Sequence, residues 1–237
     1  MVSAKLAKHA GTAMRLDRFE CDSYVSGCKF IANTCFPLKA LGGTFPESTI
    51  RHVVSGLERN ALYVHDNNLS FPTVLASVRP KYLHSRNLGV LAGLSALAAL
   101  VEDPTNIKTV LDADGVYAVL MALKHYDDHV QVCQQACLAL TLLAPLDTDQ
   151  GNFWKFKGIQ KIITCLFKHP SSAKLHTNAF ALLAVVVLPS LRFQRIFIKY
   201  QGVQSLTAIM DIIVSLHDKD IAESILLACS QYLLLGR

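Results

Sequence analysis

The sequence is short of charge, of long apolar runs and of paired cysteines, and each shortage excludes a class of protein. Only 17% of the 237 residues are Asp, Glu, Lys or Arg, against an apolar fraction of 51%. The chain therefore lies far from the disordered class and can bury a substantial core. The longest apolar runs, residues 88–101 and 179–188, are broken by Gly, Ser or Pro. They fall short of the roughly 20 residues that cross a bilayer, so no membrane span is expected.

The cysteines number seven, at Cys21, Cys28, Cys35, Cys133, Cys137, Cys165 and Cys229. An odd count without a secretory apolar segment at the start argues against a disulfide framework. An intracellular, reducing compartment is expected, with the cytoplasm first. Lys5, Lys8 and Arg15 stand without an acid in residues 1–16, a faint likeness to a mitochondrial transit peptide that makes the mitochondrion the alternative. Phosphate-cradling, dinucleotide, zinc-protease and nucleophile-elbow phrases are all missing; no catalytic residue, cofactor or metal is predicted. The net charge of +5 reads as mild and scattered, with acids mixed among the bases almost everywhere, which disfavours a nucleic-acid partner.

What is present is helical periodicity. In residues 115–144, Val116, Val119, Leu120 and Leu123 recur at one face of a 3.6-residue period. The polar residues 124–129 break the pattern, after which Val130, Cys133, Cys137, Leu140 and Ala144 form a second stripe with Gln131, Gln134 and Gln135 off it. A hairpin of two such helices cannot bury both stripes alone, so stacked copies are predicted. Upstream, Ile50, Val53, Val54, Leu57 and Ala61 mark a helix opened by Pro46 and Glu47 and closed at Asp66, Asn67 and Asn68. Further helices are predicted over residues 72–78, stopping at Pro80, over about 85–100, and over 106–112. Residues 1–48, with Gly11, Gly27, Gly42, Gly43, Pro37 and Pro46, read as an extended N-terminal arm with at most short helices.

The copies are visible. Gly115-Val116, Gly158-Ile159 and Gly202-Val203 each open an apolar helix after a short apolar segment (Val110-Leu111, Phe153-Trp154 and Ile196-Phe197-Ile198), at spacings of 43 and 44 residues. The small-large pattern at residues 93–97 recurs at 136–140 and 179–183. A repeat of one short helix and two longer ones is indicated.

This unit, carried by DGVYAVLMAL (residues 114–123) and VQVCQQACLALTLLA (residues 130–144), resembles the armadillo repeat. The resemblance spans residues 70–237, and 50–69 by extrapolation. It implies an all-α, right-handed α-solenoid of about 3.5 repeats over residues 49–237, preceded by the arm of residues 1–48. It also implies that the third helices line a concave protein-binding face. Carried over by register, that face holds Gln131, Gln134, Leu138, Leu142, Thr177, Ala181 and Val185. The Trp and Asn with which the family's peptide receptors hold basic peptides are replaced by Leu138 with Leu142, Ala181 with Val185, and Ser95 with Ala99. An apolar face of this kind suits an amphipathic helix or burial within an assembly.

The last predicted helix, residues 221–235, is apolar nearly throughout, with Ile225, Leu226, Leu227, Leu233, Leu234 and Leu235. A solenoid ordinarily ends on a polar face, so Ile225, Leu226, Leu233 and Leu234 are expected to meet another protein. The expected function is a non-catalytic interaction scaffold, a structural subunit of a multiprotein assembly, with a soluble adaptor that captures a helix or peptide as the alternative. Its partners are other proteins.

Four clusters invite chemistry and read more simply. His125, His129, Cys133 and Cys137 recur every fourth residue, but Asp127 and Asp128 break the helix between them and Cys137 holds a core position. Cys21, Cys28 and Cys35 are spaced by seven and read as free thiols, with an arm disulfide or metal as the alternative. Asp112, Asp114, Asp127 and Asp128 sit at expected helix starts, where carboxylates act as caps. Arg192, Arg195 and Lys199 interleave with Phe193 and Phe197, yet the aromatic spacing is that of a core stripe.

Overall fold

Side chains that turn apolar every three to four positions have one economical backbone, and the described residues are all-helical, with no strand among them. The computed structural model describes residues 21–40, 44–66, 79–147, 151–189 and 191–199, together with positions 204, 206, 207 and 211. The helices are α1 (Cys21–Ala40), α2 (Glu47–Asp66), α3 (Arg79–Val101), α4 (Pro104–Asp112), α5 (Gly115–His125), α6 (Val130–Leu143), α7 (Asn152–Lys155), α8 (Gly158–Lys168), α9 (Ala173–Val187) and α10 (Leu191–Lys199). A 3₁₀ turn, Ala144–Leu146, follows α6. Among the described residues no helix is long and apolar enough to cross a membrane. The chain divides into two units, Met1–Tyr126 and Asp127–Arg237.

In the first unit α1 packs on α3, and α2 packs on α3, α4 and α5. Ile50, Val53, Val54, Leu57 and Ala61, the periodic set of α2, are all buried, as are Val116, Val119, Leu120 and Leu123 of α5. Asp103 begins α4 by accepting from the Thr105 amide at 3.1 Å and the Thr105 hydroxyl at 2.9 Å, with Pro104 at the first helical position. Residues 21–40, expected to be irregular arm, are instead a 20-residue helix. Tyr24, Val25, Cys28 and Ile31 are buried core residues on it. The Tyr24 hydroxyl donates to the Val53 carbonyl at 2.9 Å. The ring fits because two neighbours lack side chains: a Cβ at Gly56 would lie within 2.7 Å of Tyr24 Cδ2, and one at Gly93 would meet the Tyr24 hydroxyl. Helix α3 also begins earlier than expected, at Arg79, with Pro80 in its first turn. The helix expected at residues 72–78 lies outside the described residues.

In the second unit α6 packs on α9 and α8, and α9 packs on α8 and α10. Cys133, Cys137 and Leu140 of α6 are fully buried, with Ile162 and Leu166 of α8 and Leu175, Leu182 and Leu183 of α9. Asp147 Oδ2 accepts from the Phe153 amide at 2.7 Å, holding the start of α7.

The 43-residue register is written into the turns themselves. Asp114 and Lys157 both take left-handed backbone, at φ 60° and 57°, immediately before Gly115 and Gly158. At Gly115 a Cβ would lie 2.8 Å from the Val110 carbonyl oxygen; at Gly158 it would lie 2.5 Å from the Phe153 ring. Val110 and Phe153 are the buried apolar residues five positions before each glycine. Each turn thus needs a residue without a side chain because the short helix folds back onto it.

Candidate functional site

Helices α6 and α9 carry the residues expected to bind a partner. Residue 134 lies against residues 172 and 178, which bracket its register partner at 177: the Gln134 amide donates to the Ser172 hydroxyl at 3.0 Å, and the Asn178 amide donates to the Gln134 carbonyl at 3.0 Å. This pairing leaves one face of both helices outward. Leu138, Leu142 and Val185 are about two-fifths exposed (40%, 39% and 39%), and Gln131, Thr177 and Ala181 are exposed with them. Gln134 differs from the expectation: it is half-buried and its amide is committed to Ser172. Large apolar side chains at i and i+4 that stay exposed form a ridge rather than part of the core. The other expected binding residues, Ile225, Leu226, Leu233 and Leu234, lie outside the described residues.

The polar clusters are otherwise employed. Asp114 makes no side-chain cap at α5, and α6 is entered through His129. Asp127 and Asp128 are therefore not helix caps. They both accept from Lys168 Nζ, at 2.7 and 2.8 Å, tying the loop before α6 to the end of α8. The Lys168 hydrogen bond holds the Asp128 carboxyl below its usual range, and the two carboxylates raise Lys168 in turn. Three thiols meet inside this unit. The Cys133 thiol donates to the Asp127 carbonyl at 3.5 Å. Cys165 is pushed up by its hydrogen bond with Cys133 and by burial, and Cys137 by burial. Among the described residues no three His, Cys, Asp or Glu side chains are placed to hold a metal.

A second surface is visible in the sequence only in part, through Arg192, Arg195, Lys199 and Phe193. The whole-chain charge balance conceals a segment, residues 151–199, with no Asp or Glu and with Lys155, Lys157, Lys161, Lys168, Lys174, Arg192, Arg195 and Lys199. The scattered-charge reading is corrected here: it averaged over the chain, and the signal was local composition. In the fold α7, α8 and α10 form a cleft of about 200 Å³, whose lining includes Trp154, Lys155, Lys157, Ile159, Phe193 and Ile196. The Arg192 guanidinium lies 4.8 Å over the Trp154 ring. Phe193 meets Trp154 and Phe153 edge-on, with centroids at 6.1 and 6.2 Å. Of the core stripe expected in α10, Ile196 and Phe197 are buried, while Phe193 is half-buried and lines the cleft.

Comparison with protein-family models, with curated proteins and with solved structures finds no match for this chain.

Proposed function

We propose that this chain is a non-catalytic protein-interaction scaffold, a structural subunit of a large multiprotein assembly, built on an armadillo-like α-solenoid. The observation that carries this reading is the exposed apolar ridge of Leu138, Leu142 and Val185 on two packed helices held in register. An isolated exposed leucine is ordinary, whereas several at helical spacing on packed neighbours mark a surface kept dry by something else. The recurrence of the Gly115 and Gly158 turns supports the repeat reading, because a superhelix needs the same bend in each unit.

The ridge also favours a second reading. Side chains stepping by four along α6 and α9 match the groove that receives an amphipathic helix, which is how a soluble adaptor works. One experiment separates the two. The tagged full-length chain is sized by gel filtration of a native lysate and again after purification in high salt. A subunit elutes with a large assembly from the lysate and as a smaller, free chain once stripped of it; an adaptor elutes as a stable monomer from both. The Leu138→Glu, Val185→Glu double variant should lose the large species while keeping its helical content. Monomer elution of the wild-type chain from the lysate itself would remove the subunit reading, and unchanged elution of the double variant would remove the ridge from it.

A further inference from the structure

The cleft of α7, α8 and α10 has a chemistry different from that of the α6 and α9 ridge. Its floor is apolar, with Phe153, Ile159 and Ile196, while exposed Lys155 and Lys157 stand at its rim and Arg192 covers one face of Trp154. We propose that this cleft binds an acidic peptide segment of a partner protein, seating one apolar side chain on the floor and its carboxylates on the rim.

Three observations select that ligand. The first is charge: exposed Lys155, Lys157, Arg192, Arg195 and Lys199 belong to a segment without a carboxylate of its own, so its local field attracts anions. The second is size. A space of about 200 Å³ is below the roughly 300–1,000 Å³ of sites that enclose small molecules and cofactors; it suits a single side chain whose backbone passes outside. The third is the state of the aromatics. A base-stacking surface presents open ring faces, but the Trp154 face carries Arg192 and the Phe193 ring is wedged edge-on between Trp154 and Phe153. The aliphatic floor of Ile159 and Ile196 then favours a leucine-like side chain over a nucleobase. The stacking of Arg192 also restricts its rotamers, so less order is lost when its planar fork meets a carboxylate.

Trp154 is the sole tryptophan, and its emission reports on the cleft directly. The full chain is titrated with a fluorescein-labelled peptide of alternating Glu and Leu, and separately with a Glu and Ser peptide and with oligouridylate. The expected result is saturable anisotropy with the Glu–Leu peptide, matched by a change in Trp154 emission when the unlabelled peptide is added. Binding should be weaker by about tenfold or more for the Glu–Ser peptide and for the Lys155→Glu, Lys157→Asn double variant. Asparagine is used at Lys157 because it tolerates the left-handed backbone there. Arg195→Glu, exposed on α10, gives an independent variant away from that turn and should weaken binding in the same direction. Equal binding of the two peptides, undiminished binding by both charge variants, or tighter binding of oligouridylate would each overturn the proposal. These readouts use the purified chain, so they stand or fall separately from the assembly test of the ridge.

Discussion

A Cβ placed on Gly158 would lie 2.5 Å from the ring of Phe153, five residues earlier and fully within the core. The same closure at Gly115 involves the Val110 carbonyl oxygen at 2.8 Å. A ring can rotate away; a backbone oxygen held in a helix cannot. Gly158→Ala is therefore expected to destabilise the chain by about 1–3 kcal/mol, and Gly115→Ala by at least as much. Urea unfolding of both variants checks the order. Gly151→Ala serves as the control: its backbone is left-handed at φ 59°, yet nothing lies within 4 Å, so only the conformational cost of about 1–2 kcal/mol applies.

Tyr24 tests whether α1 belongs to the core of its unit. Removing its hydroxyl in Tyr24→Phe deletes the 2.9 Å bond to Val53 and is expected to cost about 1 kcal/mol. Tyr24→Ala also leaves a void between Gly56 and Gly93, with an expected cost of about 3–5 kcal/mol. Chemical denaturation gives both values. A detachable arm would leave the midpoint of the remaining helices unmoved by either change.

His176 sets a pH dependence. It is buried in α9, its Nδ1–H donates to the Ser172 carbonyl at 2.7 Å, and among the described residues its Nε2 has no hydrogen-bond partner. Burial lowers its pKa, with the Ser172 bond opposing. The folded chain therefore binds a proton less readily than the unfolded chain. Stability should be constant above about pH 7 and fall as pH drops through about 6.5, the usual histidine range. His176→Phe should flatten that limb. The carboxylate of Asp128, lowered by Lys168, contributes only below about pH 4, outside a melting series from about pH 8 to 5; within that series the difference between the wild-type chain and His176→Phe reports the contribution of His176.

Cys35, Cys137 and Cys165 should be inert while the chain is folded. Burial, with Glu102 and Asp103 adding, pushes Cys35 up to about 12. Cys137 and Cys165 are likewise raised. Alkylation by iodoacetamide at about pH 8, followed by peptide mass spectrometry, should leave these three sites unmodified in the native chain and modify them in urea, because only the thiolate reacts.

The helices α2, α5, α6, α8 and α9 were legible because their apolar positions keep one period over about three turns or more, and that period is a property of the chain alone. Helix α1 was not. Tyr24, Cys28, Ile31 and Cys35 step by four, three and four, which is helical spacing, but cysteines weighed as chemistry and Gly27 and Pro37 as breakers hid it. Packing of α1 on α3 overrides those local penalties, about 1 kcal/mol for a glycine and about 3 kcal/mol for a proline within a helix. The basic cleft was hidden differently. Its cations were countable, but whole-chain charge averages over residues far apart in the fold.

The sequence by itself determined the helical class, the 43-residue spacing of the glycine turns and which stripe of α2, α5 and α6 turns inward, since each follows from local periodicity. Only the tertiary structure decided that Gln134 is spent on Ser172 while Leu138 and Val185 stay exposed. It likewise decided that Tyr24 occupies the space left by two glycines, and that α7, α8 and α10 enclose an apolar floor beneath a basic rim. Those outcomes depend on distances between residues far apart in the chain, which periodicity along the chain does not encode.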